Sequence, residues 1–159
     1  MIYQTLGLIA KVFYSLNYQD LPEFFEDNIK IWMEGFYQLL VAPNIAALES
    51  DSDDQAGPQE ILKAQICENV AMYATKYGEE FEGHLAQFVQ AIWTLLTSTG
   101  LECKYDLLVS TALGFLGSVS ERTGNGKLFS EGDALKTICE QVCIFPNIAY
   151  NFKRAANKT

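Results

Sequence analysis

The sequence has little of what metal sites and hydrolytic centres are built from. It contains one histidine, His84, and no His-Glu-x-x-His, Gly-x-Ser-x-Gly or EF-hand spacing. Four cysteines are too few for a disulfide scaffold in 159 residues. Cys139 and Cys143 would share a helix face, but no second Cys or His pair stands at ligand spacing. We therefore interpret all four, Cys67, Cys103, Cys139 and Cys143, as small buried side chains, and expect no metal, no cofactor and no catalytic residue.

Long apolar runs and clustered basic residues are also missing. No stretch approaches 18 uninterrupted apolar residues, so no membrane insertion is expected. The apolar N-terminus lacks the basic n-region and the Ala-x-Ala cleavage site of a signal peptide, which indicates a core helix. Acidic residues outnumber basic ones by 20 to 11, for a net charge of −9. Because nucleic-acid binding needs clustered Lys and Arg, a nucleic-acid partner is not expected either.

What the sequence has is apolar residues, 49% of the total, at helical spacing. They recur every three or four residues in six segments with polar breaks between them, and no alternating strand pattern persists before residue 147. The predicted fold class is all-α. We expect Asp20 and Glu23 to form a capping box around the start of the second helix. Gly78 is predicted to end the third helix, and His84 to precede the fourth.

Two all-α architectures fit this pattern, a closed bundle and an open stack of helical hairpins. Internal similarity favours the stack, because residues 21–24 lead to Trp32 as residues 85–88 lead to Trp93. Each bulky A helix is followed by a B helix richer in small residues, at roughly the 40–47-residue spacing of HEAT repeats. We predict a HEAT-repeat α-solenoid of about six antiparallel helices in the order B-A-B-A-B-A, with both tryptophans in the core and not in a ligand site.

The two ends of such an array have unpartnered helices. The first helix lacks an A partner and the sixth lacks a B partner, so apolar side chains should be exposed at both ends. We expect exposure at Ile9, Phe13, Ile138 and Val142. Because exposed apolar patches promote association, the chain is predicted to self-associate despite its charge.

An acidic segment separates the second and third helices. Like charges repel and resist packing, which favours a solvated loop. The alternative is a docking surface for a basic partner. Ser50 and Ser52, which stand among these acids, are also candidate phosphorylation sites. The acidic residues concerned are Glu49, Asp51, Asp53 and Asp54.

One stretch, KVFYSLNYQDLPEFFEDN at residues 11–28, carries a specific resemblance. It is similar to the importin-β (karyopherin-β) family, in particular its Cse-type branch. The similarity continues at residues 65–69, 76–81, 88–96, 104–110 and 118–122, and spans about residues 4–147. On this basis residues 1–147 are expected to form a HEAT-repeat segment with partial repeats at both ends. Residues 148–159 form a divergent basic tail.

The resemblance implies a nuclear transport receptor and not an enzyme. The family member binds importin-α together with Ran-GTP, and returns importin-α from the nucleus to the cytoplasm through the nuclear pore. The matched stretch is an inner part of the N-terminal half of a longer solenoid, without the Ran-binding N-terminal repeats. The alternative function is a free-standing helical-repeat scaffold or adaptor with an acidic binding surface.

The resemblance also implies where partners bind, because B helices line the concave surface of such solenoids. The B helices here are about residues 4–17, 60–77 and 104–121. The candidate partner-binding residues are the polar positions away from their apolar stripes, namely Lys11, Tyr14, Glu68, Asn69, Met72, Lys76, Ser110, Glu121 and Arg122.

Overall fold

The fold is taken from a computed structural model that describes residues 1–43, 57–98 and 106–122. These residues form helices and contain no strand, as the sequence predicts. The chain divides into two compact units, Met1–Ser118 and Val119–Thr159, and the contacts below belong to the first. The predicted sixth helix lies outside the described residues. The helices are α1 (Ile2–Asn17), α2 (Glu23–Asp27), α3 (Ile29–Val41), α4 (Pro58–Lys76), α5 (Gly78–Ser98) and α6 (Asp106–Arg122).

The helices stack in two layers. Helix α1 packs along α4 and α3 packs along α5, while α4 also contacts α3 and α5. The predicted B helices α1 and α4 are therefore neighbours, as are the predicted A helices α3 and α5. This is the side-by-side arrangement of a HEAT-type stack, and it confirms the predicted fold class over a closed bundle.

Phe13 of α1 is the centre of the first aromatic cluster. Its ring centroid lies 5.2 Å from that of Phe25, 4.8 Å from Trp32, 5.0 Å from Phe36 and 5.6 Å from Tyr73. Phe13 is only 2% exposed, so the prediction that it is exposed at the chain's end is wrong. The rings of α2 and α3 cover it.

A second aromatic cluster joins the next layer of helices. Phe81 and Phe88 of α5 stack with centroids 5.6 Å apart, and Tyr37 of α3 meets Phe88 edge-on at 6.2 Å. Phe115 of α6 meets Phe81 at 6.5 Å. Tyr73 lies 6.4 Å from Phe81 and connects this cluster to the first. The core thus extends along the stack from one helix pair to the next.

The second predicted helix is divided in two at Asn28. Its amide Nδ2 donates to the Phe24 carbonyl at 2.8 Å, and its backbone N–H donates to the Glu26 carbonyl. These bonds end α2, and α3 begins at the next residue. The predicted capping box is also wrong, since Pro22 occupies the N-cap position and no side chain caps α2. The backbone of Pro22 is extended, so the helix begins only at Glu23, and Asp20 and Leu21 lie outside it.

Helix α4 has a capped N-terminus, and one of its lysines hydrogen-bonds to the C-terminal end of α3. The Glu60 carboxylate accepts the Gly57 N–H at 3.0 Å, and Pro58 occupies the first turn, where its missing N–H costs nothing. One turn further on, Lys63 donates to the Ala42 carbonyl at 2.7 Å. Because α3 ends at Val41, the Lys63 ammonium satisfies one of its terminal carbonyls.

The junction between α4 and α5 is a single residue, Tyr77. Gly78 follows the C-cap residue Tyr77 and so occupies the C′ position of α4, as the sequence predicts, and it is at the same time the first residue of α5. His84 lies inside α5 and not before it, half-buried and 6.4 Å from the Phe81 ring. Burial lowers its pKa, and the nearby Lys30 adds to this. The acidic first turn of α5 and the buried Phe81 favour this early start.

Candidate partner-binding face

A buried polar seam fixes α1 against α4. Asn69 Nδ2 donates to the Ala10 carbonyl at 3.0 Å, and the Tyr73 hydroxyl donates to Asn17 Oδ1 at 3.0 Å. The Tyr77 hydroxyl donates to the Asn17 carbonyl at 2.6 Å. Buried hydrogen bonds of this kind are costly to break. They set the register of the two predicted B helices and therefore the positions of the surface side chains on them.

Beside the seam, an exposed cluster of aromatic and basic side chains joins the end of α1 to the end of α4. The Lys76 ammonium donates to the Tyr18 carbonyl and lies 4.2 Å from the centre of the Tyr18 ring. The Tyr14 ring lies 5.5 Å from the Tyr18 ring. Desolvation raises the pKa of Tyr14, and Tyr18 and Glu68 raise it further. Tyr14 therefore remains a neutral hydrogen-bonding group at physiological pH.

Further along the same two helices, a shallow groove of about 260 Å³ lies between α1 and the first turns of α4. Its walls are mainly apolar, and they carry one charged side chain, Lys11, the amides of Gln4 and Gln65 and the phenol of Tyr3. Gly7 contributes no side chain, and no heavy atom lies within 4 Å of where its Cβ would be. The remaining lining residues are Leu8, Pro58 and Ile61.

The groove and the cluster are connected through Gln65. Its amide Nε2 donates to the Glu68 carboxylate at 3.0 Å, and the negative charge of Glu68 contributes to the raised pKa of Tyr14. We call the groove and the cluster together the α1–α4 face. It is defined by the side chains of Lys11, Tyr14, Tyr18, Glu68 and Lys76. It carries two positive charges, one negative charge and two tyrosine rings, which suits a polar protein surface as partner.

Four predicted site residues therefore come together on this face: Lys11, Tyr14, Glu68 and Lys76. Two others do not reach the surface, since Asn69 is fully buried and Met72 is 7% exposed. Their prediction as surface-contact residues is wrong, because α4 packs against three helices and has little free surface. Tyr18 was not predicted, although its four-residue spacing from Tyr14 on a helix was a usable signal.

Of the remaining predicted site residues, one is described by the structure and the others are not. Ser110 is exposed on α6, where its hydroxyl donates to the Leu107 carbonyl at 3.0 Å. The side chains of Glu121 and Arg122 and the whole acidic loop lie outside the described part of the structure.

Within residues 1–43, 57–98 and 106–122, no three His, Cys, Asp or Glu side chains are grouped to hold a metal ion. In the same residues, no helix is both long and apolar enough to span a bilayer.

Cys67 lies directly below the α1–α4 face. It is completely buried, as the sequence predicts, and burial raises the pKa of its thiol from 9.0 to about 12. Glu68 adds to this effect and Lys63 opposes it. The thiol is therefore protonated and unreactive at neutral pH. The other three cysteines lie outside the described residues.

Comparison with known proteins gives consistent matches. The Cse1 family profile matches residues 1–153. Human Exportin-2 is 52% identical over 158 residues, which is 99% of this chain and 16% of the human protein. Exportin-2 of Oreochromis niloticus is 54% identical over 94% of this chain and 15% of its own length. This chain therefore spans about one sixth of these relatives. The boundary at residue 147 stays a prediction.

A solved structure agrees with the sequence matches. The exportin Cse1 in its cargo-free, cytoplasmic state superposes with a TM-score of 0.80 and 36% sequence identity. The match covers 87% of this chain and 15% of that protein.

Proposed function

Because the chain belongs to the Cse1 family, we propose that it serves as part of a nuclear export receptor. This receptor binds importin-α together with Ran-GTP in the nucleus and returns importin-α to the cytoplasm, shuttling through the nuclear pore. The observation that carries the proposal is the 52% identity to human Exportin-2 across 99% of the chain. The structural match to cargo-free Cse1 supports it.

In this role the chain supplies a few repeats of a longer solenoid. A long receptor gains affinity because many weak patches act together at high effective concentration. The α1–α4 face is one such patch, and its mixed charges and tyrosines suit the rim of a protein interface. GTP hydrolysis takes place on Ran, so the repeats need no catalytic residue and the chain is not an enzyme.

A pull-down from nuclear extract tests the proposal. Immobilised chain should retain importin-α weakly. Ran-GTP should not change the amount retained, because the resemblance places the Ran-binding repeats outside this stretch. Mutating Lys11, Glu68 and Lys76 to Ala should abolish this retention, because these side chains are the charged groups of the α1–α4 face. Replacing the exposed Gln90 on α5 by Ala is the control and should change nothing. Retention of other proteins irrespective of nucleotide would instead favour the scaffold or adaptor function.

Neutralising the acidic loop separates its two interpretations. If the loop is a docking surface, the changes Asp51→Asn, Asp53→Asn and Asp54→Asn should weaken importin-α binding. The effect should shrink with salt, since the Debye length falls from about 10 Å at 0.1 M to about 3 Å at 1 M. Fluorescence anisotropy at both salt concentrations measures this. If the loop is a solvated linker, the affinity stays unchanged.

The matched control changes the same number of charges elsewhere. Glu79, Glu80 and Glu82 are exposed on α5, and replacing them by Gln also makes the chain three units less negative. An equal loss of affinity in both triple variants would show that net charge matters and not the loop itself.

A further inference from the structure

The groove between α1 and α4 contains one charged side chain, and its charge is positive. Among the residues that the structure describes, no carboxylate pairs with the Lys11 ammonium. Glu60 is in the first turn of α4, but its carboxylate accepts the Gly57 N–H at 3.0 Å. The Glu68 carboxylate accepts a hydrogen bond from the Gln65 amide at 3.0 Å. On a chain with a net charge of −9, the groove is therefore a local positive site.

Gly7 lines this groove, and packing does not require a glycine there. No heavy atom lies within 4 Å of the point where its Cβ would be, so a methyl group would fit. A glycine inside a helix is less favourable than an alanine, because it loses more conformational freedom on folding. What the glycine provides is an open stretch of α1 backbone in the groove wall. The backbone of an occupant can therefore approach α1 closely at Gly7.

The groove does not lie on the side of α1 where a neighbouring repeat packs. Gly7 and Lys11 are four residues apart and share the side of the helix that borders α4. At 100° per residue, Ile2 and Ile9 lie about 160–180° away from Lys11. Ile9 is 46% exposed, as the sequence predicts, and Ile2 is exposed as well. These two apolar side chains suit the contact with another repeat, which would leave the groove open.

The size and the walls of the groove suit a short protein segment. Its volume of about 260 Å³ is below the roughly 300–1,000 Å³ of small-molecule sites. Leu8, Pro58 and Ile61 form an apolar surface in the same groove as Lys11. An apolar side chain gains from burial on that surface, and a carboxylate gains a charge-assisted hydrogen bond from the ammonium.

We propose that the groove binds a short extended segment of a partner protein, in which a carboxylate stands next to an apolar side chain. The carboxylate pairs with Lys11, and the apolar side chain packs against Leu8, Pro58 and Ile61. The backbone of the segment passes over Gly7. The assignment of this segment to importin-α rests on the proposed function, whereas the binding chemistry of the groove does not.

Short synthetic peptides, followed by NMR on the isotope-labelled full chain, test this chemistry. A peptide of alternating Asp and Leu should shift the amides of Gly7, Lys11 and Gln65, with a Kd on the order of 1 mM. Peptides of the same length that alternate Lys with Leu, or Asp with Ser, should not. Lys11→Glu should reverse the charge preference, so that the Lys–Leu peptide binds in place of the Asp–Leu peptide. No shifts with the Asp–Leu peptide, or an unchanged preference in the variant, would overturn the proposal.

The change Gly7→Ala separates the groove from the stability of the fold. The methyl group fits and alanine favours the helix, so the urea midpoint should rise. The affinity for the Asp–Leu peptide should nevertheless fall at least about threefold, because the methyl group fills the groove. Gly35→Ala on α3 is the matched control, since a Cβ there would also have no heavy atom within 4 Å. It should raise the midpoint without changing the affinity, and equal affinities of the two variants would contradict the close approach at Gly7.

A competition experiment distinguishes the groove from the proposed function. Importin-α added to the chain that carries the Asp–Leu peptide should release the peptide from the groove. Peptide binding without this release would support the chemistry of the groove and contradict the assignment of the segment to importin-α. Importin-α shifts at Tyr18 and Lys76 without any peptide binding would leave the proposed function intact and overturn the groove as a site for a carboxylate beside an apolar side chain.

Discussion

Replacing Phe13 by Ala should destabilise the chain by about 3–5 kcal/mol. The ring is 2% exposed and contacts four other aromatic rings that come from α2, α3 and α4. Its removal leaves a cavity that rigid neighbouring rings cannot easily fill. Because small domains are stable by only about 5–15 kcal/mol, this loss should be visible as a large fall in the urea midpoint.

Phe24→Ala is the matched control for this experiment. Phe24 is the same residue type on the adjoining α2 helix, but it is 64% exposed and packs mainly on Phe25, at 5.3 Å. Its truncation should cost less than about 1 kcal/mol. Similar costs for Phe13 and Phe24 would contradict the position of Phe13 at the centre of the aromatic cluster.

Raising the pH from 8 to 11 should remove about 2–3 kcal/mol of stability through Cys67 alone. The pKa of this thiol is 9.0 in the unfolded chain and about 12 in the folded one. The folded state therefore holds the proton more tightly, and the stability it provides is complete below pH 9 and is lost as the pH rises toward 12. Burial also raises the pKa of Tyr73, which acts in the same direction above pH 10.

Lys63 acts in the opposite direction. Burial lowers its pKa below 10.5, so the unfolded state binds more protons in that range and stability rises with pH. The change Cys67→Ala separates the thiol from this effect. Chemical denaturation at pH 8, 9, 10 and 11 should show a shallower loss of stability in the variant. Identical pH profiles for both proteins would show that Cys67 is accessible to water.

The sequence predicted the helices and their order because apolar periodicity reflects packing directly. It could not predict the break at Asn28, since any Asn inside a helical pattern can either face solvent or bond to the preceding turn. Whether Phe13 is buried depends on the rings of α2 and α3, which lie 12 or more residues further along the chain. Periodicity placed Phe13 on the apolar face of its helix, but it did not show which helix would cover that face.

The candidate site was predictable only in part for a related reason. In α4, Gln59, Lys63 and Asn69 are buried and donate to the carbonyls of Pro43, Ala42 and Ala10. A polar residue that bonds a distant carbonyl looks the same in sequence as one that faces solvent. The residues predicted on α1 were less affected, because α1 packs mainly on one helix.

The most direct test of the proposed transport function is a titration of the isotope-labelled chain with importin-α, with and without Ran-GTP, followed by NMR. We expect weak binding, on the order of 0.1–1 mM, with shifts concentrated at Lys11, Glu68 and Lys76. Ran-GTP alone should cause no shifts. Tight binding of Ran-GTP alone, or importin-α shifts that leave the α1–α4 face unchanged, would contradict the assignment of this face as an importin-α contact within an export receptor.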